Sequence, residues 1–85
     1  MLSTSLLGQT GPRAEFAGFG QQGAGFAGLH AITGWPDRIP SGVYAPYTDV
    51  IAPKFGISAL AAALLERRHS GRGQYIDLSQ VESAV

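Results

Sequence analysis

The chain has 85 residues, of which 45% are hydrophobic, and its six basic and six acidic residues cancel to a net charge of zero. A chain of this length has little surface to bury and is only marginally stable as a domain by itself, and the balanced charge gives no basic footprint for a nucleic acid. The sequence contains no cysteine, which excludes disulfides, thiolate nucleophiles and cysteine-based zinc sites.

The amino-terminal residues carry no targeting signal. Residues 1–7 lack the basic start and the full apolar run of a signal peptide, and we find no stretch of about twenty apolar residues that could span a bilayer. These features predict a soluble, cytoplasmic protein with no membrane partner.

The first half of the chain predicts a strand, a weak helix and a loop. Residues 2–7 are short and apolar and predict the end of a strand, which has no partner nearby in the sequence and so needs a sheet from elsewhere. Residues 14–32 have helical spacing, but each interior glycine costs about 0.5–1 kcal/mol relative to alanine, so this helix needs tight packing. Residues 33–37 break it, and the proline-containing residues 39–47 predict an extended loop.

The second half predicts a long helix followed by a strand. The helix extends from about Ile51 to His69, with Pro53 in its first turn and Gly71 as a left-handed stop. Residues 74–78 alternate as a strand does, and residues 79–82 match a capping box that opens another helix. This order of elements is typical of an α/β protein, and both ends of the chain stop within an element, which suggests a fragment.

Residues 18–23 match the G-x-G-x-x-G pattern of dinucleotide-binding loops. No buried strand precedes the pattern, and no acidic residue follows it by about twenty positions to bind a ribose. We therefore interpret these glycines as sites of close helix packing. The sequence also predicts no metal site, because His30 and His69 lack further ligands at a metal-binding spacing.

Asp49 is the only acidic residue between Asp37 and Glu66, and it lies at the entrance to the long helix. An aspartate there is commonly an N-cap, which contributes about 1 kcal/mol. The same position surrounds the carboxylate with helix N–H dipoles that favour an anion, and an aspartate can form a covalent acyl intermediate. The residues alone leave both interpretations open.

A resemblance to a known family bears on this choice. The stretches that carry it are Gly8–Pro12, Gly28–Asp37 followed by Pro40, Thr48-Asp49, and Ala61–Ser79. In this order and spacing, from Ser5 to the end, the chain resembles the family III CoA-transferases, the group that includes formyl-CoA transferase and carnitine CoA-transferase.

The resemblance implies an α/β fold in which residues 1–85 are an internal fragment of a Rossmann-like large domain. Within it, the loop and helix would occupy residues 8–47, the catalytic aspartate and long helix residues 48–70, and the strand and helix start residues 74–85. The complete protein would add a small domain and form an interlocked homodimer.

The resemblance also implies the chemistry, which is the transfer of CoA between carboxylic acids. Acyl-CoA and a carboxylic acid would be the substrates, no cofactor would stay bound, and Asp49 would be the covalent nucleophile. Gly18, Phe19 and Gly20 would lie near CoA, although a lysine that some members carry there has no counterpart. Residues 35–49 look like those of members that handle larger, sometimes aromatic, acyl groups. The alternative is a non-catalytic truncated gene product or association fragment.

Overall fold

The computed structural model describes all 85 residues and consists of a small parallel sheet and short helices packed on one long helix. The elements in chain order are β1 (Leu2–Ser5), α1 (Gly20–Phe26), α2 (Leu29–Ile32), α3 (Tyr47–Ser70), β2 (Ile76–Ser79) and a 3₁₀ turn (Glu82–Ala84). Helices that connect parallel strands characterise an α/β protein, so the predicted fold class is confirmed.

The sheet joins the two ends of the chain. β1 runs parallel to β2, with Leu2 opposite Ile76 and Ser5 opposite Ser79. The sequence predicts a strand at this place with no partner nearby in the sequence, and both points are confirmed, but the partner comes from the far end of the same chain and not from a sheet elsewhere. The long crossover that parallel pairing requires is supplied by all the residues between the strands.

The predicted helix over residues 14–32 is also wrong in its extent. Residues 14–19 are not helical, and α1 and α2 are separate short helices. They are divided at Gly28, whose φ of 81° is left-handed and therefore interrupts a right-handed helix at little cost for glycine. The glycine content of this segment limits helix length as well as stability.

Close contact between α1 and α3 depends on Gly23. A Cβ atom at this position would lie 2.5 Å from Thr48 Oγ1 and 3.0 Å from Leu6 Cδ1. Thr48 is fully buried, and Ala24 beside the contact is buried as well. The interpretation of these glycines as packing sites therefore agrees with the structure at Gly23.

We expect Gly23→Ala to destabilise the complete protein by about 1–3 kcal/mol, because the methyl group forces α1 away from α3. The matched control is Gly25→Ala in the same helix, where the added Cβ meets only the His30 ring at 3.5 Å. That change should stabilise by about 0.5–1 kcal/mol, since it removes a helical glycine. Thermal unfolding of the two variants checks the prediction, and equal shifts in Tm would contradict it.

Helix α3 begins four residues before the predicted start, at Tyr47. Pro53 is consequently not in the first turn but lies inside the helix. A proline there removes the N–H that would donate to the carbonyl of residue 49 and crowds that carbonyl. The predicted end is confirmed, because Gly71 is left-handed with a φ of 72° and its N–H donates to the Arg67 carbonyl at 2.9 Å.

The predicted capping box after β2 is only half formed. The Glu82 N–H donates to Ser79 Oγ at 3.2 Å, as a capping serine requires. However, residues 82–84 form a 3₁₀ turn rather than the first turn of an α-helix.

The chain is elongated, with extents of 56 × 24 × 15 Å and a radius of gyration of 15.5 Å, whereas a compact domain of this length has about 12 Å. The buried residues of α3 are Thr48, Ala52 and Gly56, all in its first half. Large apolar residues on the same helix, such as Phe55 and Leu64, are about half exposed. Apolar helix surface of this extent is typical of a face that contacts further protein.

The expectation that no segment could span a bilayer is wrong by one criterion. Helix α3 is long and apolar enough, in length and composition, to cross a membrane. The long core helix of a soluble protein satisfies the same criterion. The absence of a membrane partner and the cytoplasmic location therefore stay predictions.

Candidate active site

Asp49 lies in the first turn of α3, as its third residue. The residue at the N-cap position is Pro46, and the backbone N–H of Asp49 donates to the Pro46 carbonyl at 3.0 Å. Of the two interpretations that the sequence leaves open, the N-cap is therefore excluded, because α3 starts earlier than its apolar pattern indicates. The side chain is exposed and caps neither α3 nor α1, which leaves its oxygens available for chemistry.

The carboxylate of Asp49 lies directly against Gly20. A Cβ atom on Gly20 would be 2.7 Å from Asp49 Oδ2 and 2.7 Å from Pro46 Cβ. Only a residue without a side chain fits there. Gly20 is buried and is the first residue of α1, so the carboxylate lies where the amino ends of two helices meet. The positive ends of both helix dipoles favour an anion at this position.

Thr48 anchors the first turn of α3. Its side chain is 0% exposed, and Oγ1 donates to the Gly20 carbonyl at 3.3 Å or to Gln80 Oε1 at 3.4 Å. A buried and hydrogen-bonded neighbour fixes the backbone from which the Asp49 side chain extends. The sequence signals Thr48 only as half of the Thr48-Asp49 motif and does not indicate this role.

The three residues predicted near CoA have different environments. Gly20 faces Asp49, as described above. A Cβ on Gly18 would instead lie 2.6 Å from Leu6 Cδ2, so this glycine permits packing. The Phe19 ring is 78% exposed, and the Phe19 backbone N–H donates to Gln22 Oε1 at 2.7 Å. Of the three, Gly20 is the one that the structure brings to the Asp49 carboxylate.

Two other sets of titratable side chains have partners elsewhere in the chain. His69 Nδ1 is 2.9 Å from the Leu65 carbonyl at the far end of α3. Arg38 donates to Asp37 at 3.1 Å, and this hydrogen bond lowers the pKa of that exposed carboxyl. No group of three or more His, Cys, Asp or Glu side chains is placed to hold a metal ion.

An apolar groove of about 280 Å³ lies between α3 and the sheet. Its walls include Leu2, Pro53, Leu60 and Leu78, and Asp49 is not among its lining residues. The groove has no charged group to orient a carboxylic acid or a phosphate. We therefore place the candidate site at the Asp49 carboxylate and not in this groove.

Comparison with known proteins identifies the family. The sequence model of CoA-transferase family III matches residues 1–85. A succinyl-CoA-D-citramalate CoA-transferase from Chloroflexus aurantiacus is 39% identical over 85 residues, covering 100% of this chain and 21% of the relative. A succinate-glutarate CoA-transferase from Agrobacterium fabrum is 41% identical over 85 residues, covering 98% of this chain and 21% of the relative. The chain thus spans about a fifth of the length of these enzymes.

Solved structures agree with this comparison. A CAIB/BAIF family protein from Brucella suis superposes with a TM-score of 0.92 at 32% identity, covering 98% of this chain and 22% of that protein. A hypothetical protein from Mycobacterium tuberculosis shares the fold with a TM-score of 0.87 at 23% identity, covering 99% of this chain and 24% of that protein. The α/β architecture, the order of the motifs and the match along the whole sequence all agree. The chain therefore belongs to CoA-transferase family III.

Proposed function

We propose that Asp49 is the covalent nucleophile of a CoA-transferase that moves CoA between carboxylic acids, and that this chain is an internal segment of that enzyme. The observation that carries the proposal is the Asp49 carboxylate itself. It is exposed, caps neither helix and lies against the bare backbone of Gly20. A carboxylate with only a capping role would accept a hydrogen bond from a helix N–H, and Asp49 does not.

The reaction follows from carboxylate chemistry. An Asp49 oxygen attacks the carbonyl carbon of the donor thioester, which forms a mixed anhydride and releases CoA as a thiolate. The thiolate then attacks the aspartyl carbonyl, which expels the donor acid and leaves an aspartyl-CoA thioester. Each step converts one activated acyl derivative into another, first a thioester into an anhydride and then an anhydride into a thioester. The free energy of the donor thioester is therefore retained in the covalent intermediate and is not lost to hydrolysis.

The return half of the reaction mirrors the first. The acceptor carboxylate attacks the aspartyl-CoA thioester and again releases the CoA thiolate, leaving a second mixed anhydride. The thiolate attacks the acceptor acyl carbon, and the aspartate leaves as a free carboxylate. The enzyme is regenerated with no water consumed, and no metal or redox cofactor takes part in the scheme.

We propose small dicarboxylic acids as donor and acceptor. The named relatives transfer CoA between succinate and either D-citramalate or glutarate. The resemblance to members that handle larger or aromatic acyl groups receives no support from these names. The remainder of the complete protein, about four-fifths of its length in these relatives, would supply the walls of the acyl-CoA site and the homodimer contacts.

The complete protein tests this proposal through its covalent intermediate. We expect succinyl-CoA followed by hydroxylamine to yield an aspartyl hydroxamate on the tryptic peptide that contains residues 39–54, because hydroxylamine captures activated acyl groups. Asp49 is the only acidic residue in that peptide, so mass spectrometry of the peptide assigns the site directly. A hydroxamate on a different peptide, or active transfer with no hydroxamate, would refute Asp49 as nucleophile.

As a separate 85-residue chain, the protein is proposed to be inactive and to act at most through association. Its elongated shape and its exposed apolar side chains favour contact with other protein. Transferase activity in purified residues 1–85 would contradict this alternative.

A further inference from the structure

The loop that leads into α3 contains a strained residue. Ala45 has a φ of 65° and is the one non-glycine residue with a positive φ. This conformation costs an L-residue roughly 1–2 kcal/mol and persists only where surrounding contacts hold it. The next residue, Pro46, offers its carbonyl to the N–H groups of Asp49 and Val50 at 3.0 and 3.3 Å. The direction in which α3 starts therefore depends on how Ala45 is held.

Gln21, the second residue of α1, holds this loop. Its Nε2 donates to the Ala45 carbonyl at 2.7 Å and to the Val43 carbonyl at 3.0 Å. Both amide protons are thus used on carbonyls that flank Tyr44. Because two carbonyl oxygens can be bridged only by a donor, the orientation of the amide is fixed.

His30 completes the arrangement from α2. Its Nε2 lies 3.2 Å from Gln21 Oε1. The amide oxygen can only accept, so the ring nitrogen donates to it. This third hydrogen bond further restricts rotation of the Gln21 amide. The chain of hydrogen bonds runs from α2 through α1 to the loop that ends at α3.

We propose that Gln21 is a positioning residue for the Asp49 carboxylate, acting through the strained loop at Ala45. The inference rests on the proposed role of Asp49 as nucleophile. Gln21 fixes the loop on one side of Pro46, and Thr48 fixes the first turn on the other. Together they fix the backbone from which the Asp49 side chain extends toward Gly20, and a fixed position of the reacting group favours attack on a thioester.

The test is Gln21→Glu in the complete protein. Glutamate has nearly the same shape, but its ionised side chain donates no hydrogen bond and sets a negative charge against two carbonyl oxygens. We expect the single-turnover release of CoA from succinyl-CoA to slow roughly 10- to 100-fold. The dissociation constant of CoA should stay at its wild-type value, whereas the Tm is expected to fall because two hydrogen bonds are lost.

The matched control is Gln22→Glu, which introduces the same charge at the next residue. Gln22 acts as an acceptor for the Phe19 N–H at 2.7 Å, and a carboxylate accepts equally well, so CoA release should keep its wild-type rate. If Gln21→Glu does not fold, Gln21→Met offers similar length with neither donors nor charge, and the same slowing is expected.

Two results would overturn the inference. One is a wild-type rate of CoA release in both Gln21→Glu and Gln21→Met. The other is slowing that is equal in Gln21→Glu and Gln22→Glu, which would reflect added charge and not the lost donors. Neither result bears on the nucleophile itself, because the hydroxamate on residues 39–54 is measured in the unmodified protein.

Discussion

Replacement of Asp49 by asparagine in the complete protein should abolish CoA transfer. Asparagine keeps the size of the side chain, but its amide does not attack a thioester and cannot form an anhydride. We expect the rate of transfer to fall on the order of 10³-fold or more, as removal of a covalent nucleophile does. The hydroxamate on residues 39–54 should disappear at the same time, and Asp49→Ala should behave in the same way.

The control for this prediction is Glu66→Gln, which removes a negative charge from an exposed residue of the same helix. It should leave transfer unchanged. Because the Asp49 side chain is exposed and caps neither helix, Asp49→Asn should lower stability by no more than the helix-dipole contribution, about 0.3–1 kcal/mol. Normal transfer in Asp49→Asn, with a lowered Tm, would instead identify Asp49 as a purely structural residue that stabilises the start of α3 through the helix dipole.

Gly20→Ala should produce the second large effect. The added methyl group would lie 2.7 Å from both Asp49 Oδ2 and Pro46 Cβ. The carboxylate can rotate away, whereas the Pro46 ring is rigid, so both the orientation of the Asp49 carboxylate and the start of α3 must change. A displacement of about 1 Å at a reacting group can reduce the rate about 100-fold, and we expect a loss of that order in the single-turnover release of CoA.

Gly25→Ala provides the comparison, since it adds the same methyl group to the same helix without a short contact. We expect it to keep the wild-type rate of CoA release. If Gly20→Ala also keeps that rate, the close approach of Asp49 to Gly20 has no part in the reaction. If both variants slow equally, the effect arises from α1 as a whole and not from the contact with the carboxylate.

Local signals in the sequence predict the carboxyl-terminal half of the chain well. Basic residues followed by Gly71 mark the end of α3, and the alternating residues before Ser79 mark β2. These features depend on neighbours in sequence. The start of α3 is predicted too late because Pro53 is typical of a first turn. In the folded chain, Thr48 is buried against Gly23, and this packing stabilises helical structure in the residues that precede Ile51.

The candidate site likewise combines a residue that local sequence signals identify with residues that only tertiary packing brings near it. Asp49 is identified by its position and by the resemblance of the motifs around it. Its surroundings come from α1, and the hydrogen bond between Thr48 and Gly20 joins residues 28 positions apart. The glycine pattern indicates close packing at Gly20, but no local pattern indicates that the contact is the Asp49 carboxylate or that Gln21 reaches the loop at Ala45. Such requirements arise only when two helix starts are brought together by packing.

The parallel pairing of the two ends has a consequence during protein synthesis. β1 leaves the ribosome long before β2, and their partners Leu2 and Ile76 are more than 70 residues apart. At about 5–20 residues per second, β2 follows on the order of 4 to 14 s later. Leu6 can already be covered by α1 in that interval, whereas the backbone donors and acceptors that β1 will share with β2 still lack that partner. Asp49 and both helices beside it are thus translated before the strand pairing that closes this part of the fold.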